Sequence, residues 1–170
     1  MIRAAIIGGS GYTGGELLRL LLAHPQVEVT QVSSRSHLGE YLYQVHPNLR
    51  KQTGLKFIDP DQVEAADVLF LALPHGQAQQ KIEAYAQLAP YLIDLSADFR
   101  LHSPEAYEQW YGQTHAAAGW LERFVYGLPE LHRAQISKAH YVSGVGCNAT
   151  ASNLALLPLV QAELIDPQEA

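Results

Sequence analysis

Apolar residues fall in short blocks along the 170-residue chain, separated by polar and glycine-rich punctuation. Ile2 to Ile7 and Asp67-Val-Leu-Phe-Leu-Ala-Leu73 are nearly continuous apolar runs, the pattern of strands buried on both faces of a parallel sheet. Val27 to Ser33 alternates apolar with polar and predicts a further strand; Tyr91 to Leu95, His140 to Ser143 and the short Leu55 to Ile58 predict three more. Between them, Glu16 to His24 carries Leu17, Leu18, Leu20, Leu21 and Leu22 and stops at Pro25, as a helix would. Helices are also predicted over Gln77 to Leu88 and from about Asn148 to Leu157. Arg100 to Arg133 is aromatic and aperiodic, with Tyr107, Trp110, Tyr111, Trp120, Phe124 and Tyr126, and reads as a long excursion holding one helix near Pro104 to Tyr111. Alternating strands and helices predict an α/β doubly wound sheet with its ligands at the carboxyl ends of the strands.

Composition narrows the class. Hydrophobic residues make up 48% and aromatics 9%, enough for a packed core. Eleven Lys and Arg against seventeen Asp and Glu give a net charge of −6, which argues against nucleic acid as the main partner. One cysteine excludes an intramolecular disulfide and any multi-cysteine metal site. Neither a membrane-spanning apolar run nor a signal-peptide layout is present, so the expected setting is cytoplasmic, with a small molecule as ligand. Charged residues are only 16%, which fits either a face covered by another domain or subunit, or a glutamine-rich surface.

Two segments carry candidate chemistry. Gly8-Gly-Ser-Gly11-Tyr-Thr-Gly14 follows the first strand and opens the first helix, where glycines let a dinucleotide pyrophosphate approach free N–H groups. The spacing is Gly-x-x-Gly-x-x-Gly, and an ordinary strand-to-helix turn is the alternative. At the end of the second strand stands Ser33-Ser34-Arg35-Ser36 rather than the carboxylate that would bond the ribose 2′-hydroxyl of NAD. Arg35 and the serines suit a 2′-phosphate, so NADP is the expected cofactor, against a merely solvated loop. The second segment, Ser143-Gly-Val-Gly-Cys147-Asn-Ala-Thr150, places the lone thiol at a predicted helix N-terminus, which favours thiolate, the nucleophilic form. The alternative is a small buried apolar residue. A thiolate beside a nicotinamide implies thioester chemistry. No metal site is expected among the eight histidines. His75 reads as catalytic or as a loop cap, His46 as structural or a surface contact, and Asp94 and Asp98 as orienting groups or turn caps.

Taken in order, Gly-Gly-Ser-Gly-Tyr-Thr-Gly-Gly-Glu16, Ser-Ser-Arg35, Leu-Pro-His-Gly76, Asp-Leu-Ser-Ala-Asp-Phe-Arg100, Tyr-Gly-Leu-Pro-Glu130 and Gly-Cys-Asn-Ala-Thr150 resemble the N-acetyl-gamma-glutamyl-phosphate reductase family of the semialdehyde dehydrogenase superfamily. The resemblance covers essentially the whole chain. It implies a Rossmann-like, mostly parallel sheet, with NADP(H) lying on Gly8, Ser10, Gly11, Tyr12, Thr13 and Gly14. Ser34 and Arg35 would meet the 2′-phosphate, and Pro74, His75 and Gly76 would lie near the nicotinamide ribose. Cys147 would attack an acyl phosphate and form the thioester, with Asn148, Thr150 and Arg100 on the substrate. Residues 1–146 would form the cofactor domain, and 147–170 the nucleophile helix and the start of a second domain.

Two departures shape that expectation. Arginine-pathway members of the family usually carry the nucleophile in Pro-Gly-Cys-Tyr-Pro-Thr, whereas this chain has Val-Gly-Cys-Asn-Ala-Thr150. That form, with His-Pro-Asn-Leu-Arg50, is similar to the lysine-pathway branch, whose aminoadipyl or glutamyl phosphate is carried on a small acidic protein. Arg50, Lys51 and Lys56 would then offer a docking patch. The carrier-linked substrate is favoured over free N-acetyl-gamma-glutamyl phosphate. Family members are also longer, with a catalytic histidine and most of the substrate site in the later half. The chain is therefore expected to be an N-terminal portion, inactive alone and homo-oligomeric when full length. An aspartate-semialdehyde dehydrogenase fits the middle motifs less well, and the non-enzyme alternative is an NADP-binding module with an unreactive Cys147.

Overall fold

The computed structural model describes residues 1–166. Seven strands, β1 (Ile2–Ile7), β2 (Val27–Ser33), β3 (Phe57–Ile58), β4 (Val68–Leu71), β5 (Tyr91–Asp94), β6 (Phe124–Tyr126) and β7 (Tyr141–Ser143), form one sheet in the order β3-β2-β1-β4-β5-β7-β6. Every strand pair is parallel, so the expected mostly parallel sheet is wholly so. The helices are α1 (Tyr12–Leu21), α2 (Leu42–Val45), α3 (Ile82–Leu88), α4 (Pro104–Tyr111), α5 (Pro129–Ile136) and α6 (Cys147–Gln161).

The pleat sorts β1 between two cores. Ala4 and Ile6 face Leu18 of α1, Val32, Phe57 and Phe70, while Ala5 and Ile7 face Leu69, Leu71, Leu92, Ile82 of α3 and Phe99. All four β1 residues are fully buried, which is why the run is apolar without alternation. The excursion after Arg100 folds back onto the second core through Leu121 and Phe124, the latter stacked on Phe99 with ring centroids 4.1 Å apart.

Register decides where function can sit. Ile7 is level with Ser33 and with Leu71, Leu71 with Asp94, Asp94 with Ser143, and Ser143 with Tyr126. The loops that leave these residues therefore stand in one row along the carboxyl edge of the sheet. The order reverses between β1 and β4, opening the crevice in which ligands of such sheets bind.

Several expected boundaries moved. α1 begins at Tyr12, four residues ahead of Glu16, because Gly11 in an extended conformation serves as its N-cap. The stretch from Gln77 is a series of turns closed by three-residue bonds, Gln77 N–H to Pro74 O, Gln80 to Gln77 and Lys81 to Ala78, so α3 starts only at Ile82. β6 and α5 lay unrecognised in the excursion: β6 has three residues, too few for a period, and α5 is kinked at His132. α6 runs through Pro158 to Gln161 with no fully buried side chain, leaving Leu156 and Leu159 exposed. The last four residues of the expected 147–170 segment, 167–170, lie outside the described residues.

Candidate functional site

The first turn of the groove is set by packing around glycines. Gly8 adopts φ +79°, and a Cβ there would lie 2.6 Å from Ala72 O; a Cβ on Gly14 would lie 2.6 Å from Gly9 Cα. His46 donates from Nε2 to Gly9 O at 2.8 Å and fills the space a side chain on Gly15 would need. Gly9 N–H is held by Ser33 O at 2.9 Å. Gly11 alone in this turn has no atom within 4 Å of a Cβ position, and α1 lacks any side-chain cap. The first N–H groups of a ten-residue helix thus face an open space, a cradle fit for an anionic pyrophosphate.

Three hollows run continuously along the strand ends. The first, of about 570 Å³, is bounded by Ser34, Arg35, Ser36 and Lys81 on one side and by Gly8, Ser10 and Pro74 on the other. The second, about 380 Å³, shares Gly8, Ser10 and Pro74 and continues over Gly11, Tyr12 and Thr13 to Leu95. The third, about 730 Å³, shares Thr13 and Leu95 and ends at Arg100, Cys147 and Asn148. At the far end the Ser34 hydroxyl, itself buried, donates to Ser10 Oγ at 2.8 Å and lies 3.3 Å from Ser36 Oγ, tying the glycine turn to the end of β2.

Cys147 is exposed and is the first residue of α6, so the reading as a buried apolar filler fails. The positive end of α6 is joined in this hollow by the Arg100 guanidinium, which donates to Gly144 O at 2.8 Å and to Val145 O at 3.3 Å. Two of its five N–H groups are thereby fixed, leaving the others for an anion. The Cys147 thiol itself is 3.8 Å from Asn148 Oδ1.

Beneath the groove lie two buried carboxylates. Asp98, fully buried, accepts from Gly76 N–H at 2.6 Å, Gln79 N–H at 3.0 Å and His75 Nδ1 at 2.9 Å, and so shapes the loop after β4. The His75 ring turns from the groove: its Nε2 accepts from the Tyr107 hydroxyl and the Gln113 amide, each at 3.2 Å. Asp94 accepts from both the backbone and hydroxyl of Ser96, yet burial pushes its carboxyl up to about 6. Burial pulls the neighbouring His115 down. Its Nε2–H goes to Asp98 O and its Nδ1 accepts from Ala117 N–H, a neutral ring satisfied on both sides.

Of the expected site residues, Gly8, Ser10, Gly11, Tyr12, Thr13, Ser34, Arg35, Pro74, Arg100, Cys147 and Asn148 line this one groove. Gly14 sits behind the turn against Gly9, His75 and Gly76 are engaged by Asp98, and the Thr150 hydroxyl is buried without a partner. Sequence reasoning missed Lys81 and Asp61, which belong to loops after different strands and carry no local signature. Among the described residues no cluster of His, Cys, Asp or Glu could hold a metal ion, and no helix is long and apolar enough to cross a membrane.

Such a groove, crossing the switch point of a parallel sheet from paired serines to a cysteine, has the form of a dinucleotide-binding domain. The chain belongs to the semialdehyde dehydrogenase family, whose NAD-binding domain matches residues 3–139. A Thermomicrobium roseum protein provisionally named (LysW)-L-2-aminoadipate 6-phosphate reductase is 57% identical over 98% of this chain and 47% of its own length. The N-acetyl-gamma-glutamyl-phosphate reductase of Nitrosococcus oceani is 47% identical over 98% of this chain and 50% of its own. The chain thus spans about half the length of the curated relatives it matches. In fold it is similar to the aspartate semialdehyde dehydrogenase of Candida albicans solved with NADP, at TM-score 0.62 and 15% identity over 95% of this chain and 47% of that one.

Proposed function

We propose that this chain supplies the cofactor site and the nucleophile for NADP-dependent reduction of an N-blocked glutamyl or aminoadipyl acyl phosphate to its semialdehyde, in lysine or arginine biosynthesis. The carrying observation is the unbroken groove from Arg35 to the exposed Cys147 at the head of α6. In this reading Gly8 to Thr13 hold the pyrophosphate, and Ser34 and Arg35 hold the 2′-phosphate. Cys147 attacks the acyl carbon and phosphate departs, leaving a thioester. The helix end and Arg100 face the oxygens on which negative charge develops. The nicotinamide, when bound, would supply a hydride to the thioester carbon, and Cys147 would leave as thiolate as its C–S bond breaks and the semialdehyde forms.

A substrate presented on a small acidic carrier protein is favoured over the free acetylated one. Its supports are the Gly-Cys-Asn-Ala-Thr150 form, the names of relatives such as that of Thermomicrobium roseum, and the exposed Arg50, Lys51 and Lys56. Lys56 lies over the Tyr41 ring at 4.6 Å, which holds that cation at the surface. The test is phosphate-dependent reduction of NADP⁺ by the product of the complete gene, offered free N-acetylglutamate semialdehyde or the carrier-linked aldehyde. Turnover only with the carrier-linked form is expected. Turnover of the free form alone assigns the arginine-type reaction, and no turnover of either, with NADPH bound, refutes the enzymatic reading.

A further inference from the structure

At the far end of the groove a third charged side chain stands between two cations. Asp61, on the 3₁₀ turn Pro60–Gln62 that follows β3, takes the Lys81 ammonium on Oδ1 at 2.9 Å and the Arg35 guanidinium near Oδ2 at 3.7 Å. Its position is fixed from below, since its own N–H donates to Asp59 Oδ1 at 2.9 Å. The hydrogen bond and charge of Lys81, with Arg35, hold the Asp61 carboxyl below the usual carboxylate range. Two cations against one carboxylate leave a formal net charge of +1 at this end of the groove. Both cations line the hollow together with Ser34 and Ser36, whereas Asp61 stands outside it. All three side chains are open to solvent, the least so Lys81 at 46%.

The geometry points to Lys81 as a second, specificity-determining cation for a ribose 2′-phosphate, with Asp61 as the counter-ion that releases Lys81 and Arg35 when that dianion enters. The inference rests on the NADP reading above and deepens it. A 2′-phosphate offers three strong acceptors and close to two negative charges, so it competes for both cations where a neutral 2′-hydroxyl cannot. Asp61 then opposes the phosphate and sets how strongly NADPH is preferred over NADH.

The test is titration of the protein with NADPH, NADH, adenosine 2′,5′-bisphosphate and ADP, for the native chain and for Lys81→Gln, Lys81→Arg and Asp61→Asn. Lys81→Gln is expected to weaken NADPH and the bisphosphate about tenfold, leaving NADH and ADP unchanged. Lys81→Arg restores most of the loss, and Asp61→Asn tightens the 2′-phosphorylated ligands alone. Equal weakening of all four ligands in Lys81→Gln, or no weakening of NADPH, overturns the role given to Lys81. NADPH unaffected or weakened in Asp61→Asn overturns that of Asp61. A native chain that binds NADH as tightly as NADPH would instead refute the NADP reading itself.

Discussion

An alanine at Gly14 puts its methyl carbon 2.6 Å from Gly9 Cα and 2.7 Å from Gly9 C and O, all backbone atoms that no rotamer change can move. Overpacking of this kind costs about 1–3 kcal/mol, and with rigid neighbours the upper end applies. Alanine in a helix returns about 1 kcal/mol relative to glycine, so the net loss is about 2 kcal/mol. For a chain of this length that lowers Tm by roughly 4–8 °C. Gly11 is the control, because its Cβ would meet nothing within 4 Å and its φ of −76° suits any residue. Gly11→Ala loses a little as an N-cap and gains a little from a less flexible unfolded chain, so stability changes by less than ~0.5 kcal/mol. The added methyl projects instead into the space assigned to the pyrophosphate. Thermal unfolding by circular dichroism and NADPH titration by fluorescence separate the two variants. Gly14→Ala should lose stability and affinity together, whereas Gly11→Ala should lose affinity alone. A Gly14→Ala protein with native Tm, or a Gly11→Ala protein with native affinity, would refute the division between a packing glycine and a ligand glycine.

The same turn offers a double-mutant test. Gly15→Ala drives a methyl to 2.6 Å from His46 Nδ1 and should destabilise the native chain, but in a His46→Ala background the clash is gone and the pair should be non-additive by about 1 kcal/mol or more in urea titrations. Asp94 is raised from 3.8 to about 6 by burial, so the native state binds its proton at higher pH than the unfolded state, and this site's stability is lost as pH rises from 4 through 6. Asp94→Asn removes that loss: its stability relative to the native chain should be about 2 kcal/mol greater at pH 8 than at pH 4, and a pH-independent difference would contradict the assignment. Cys147→Ala should abolish phosphate-dependent turnover of the complete gene product while leaving NADPH affinity and Tm within error, since the exposed thiol packs against nothing that its loss would empty.

What the sequence determined by itself was whatever depends on neighbours in the chain. β1 and β2 match their expected limits residue for residue, as does α4, whose Ser103 caps Ala106 N–H and whose Gly112 closes it in a left-handed conformation. The glycine turn and the cysteine at a helix start were legible for the same reason, because strand, turn and helix there are contiguous. The tertiary structure alone decided the rest. Arg35, Asp61 and Lys81 are brought together by loops after β2, β3 and β4, and no local pattern records which strands pair. In sequence His75 reads equally as a catalytic group or a loop cap, and its partners are invisible there: the packed fold sets its Nδ1 against Asp98, from the loop after β5, and its Nε2 beside the Tyr107 hydroxyl. That placement follows from a buried carboxylate that must collect donors from whichever backbone the sheet sets beside it, which is a property of the packed fold and not of the sequence around either residue.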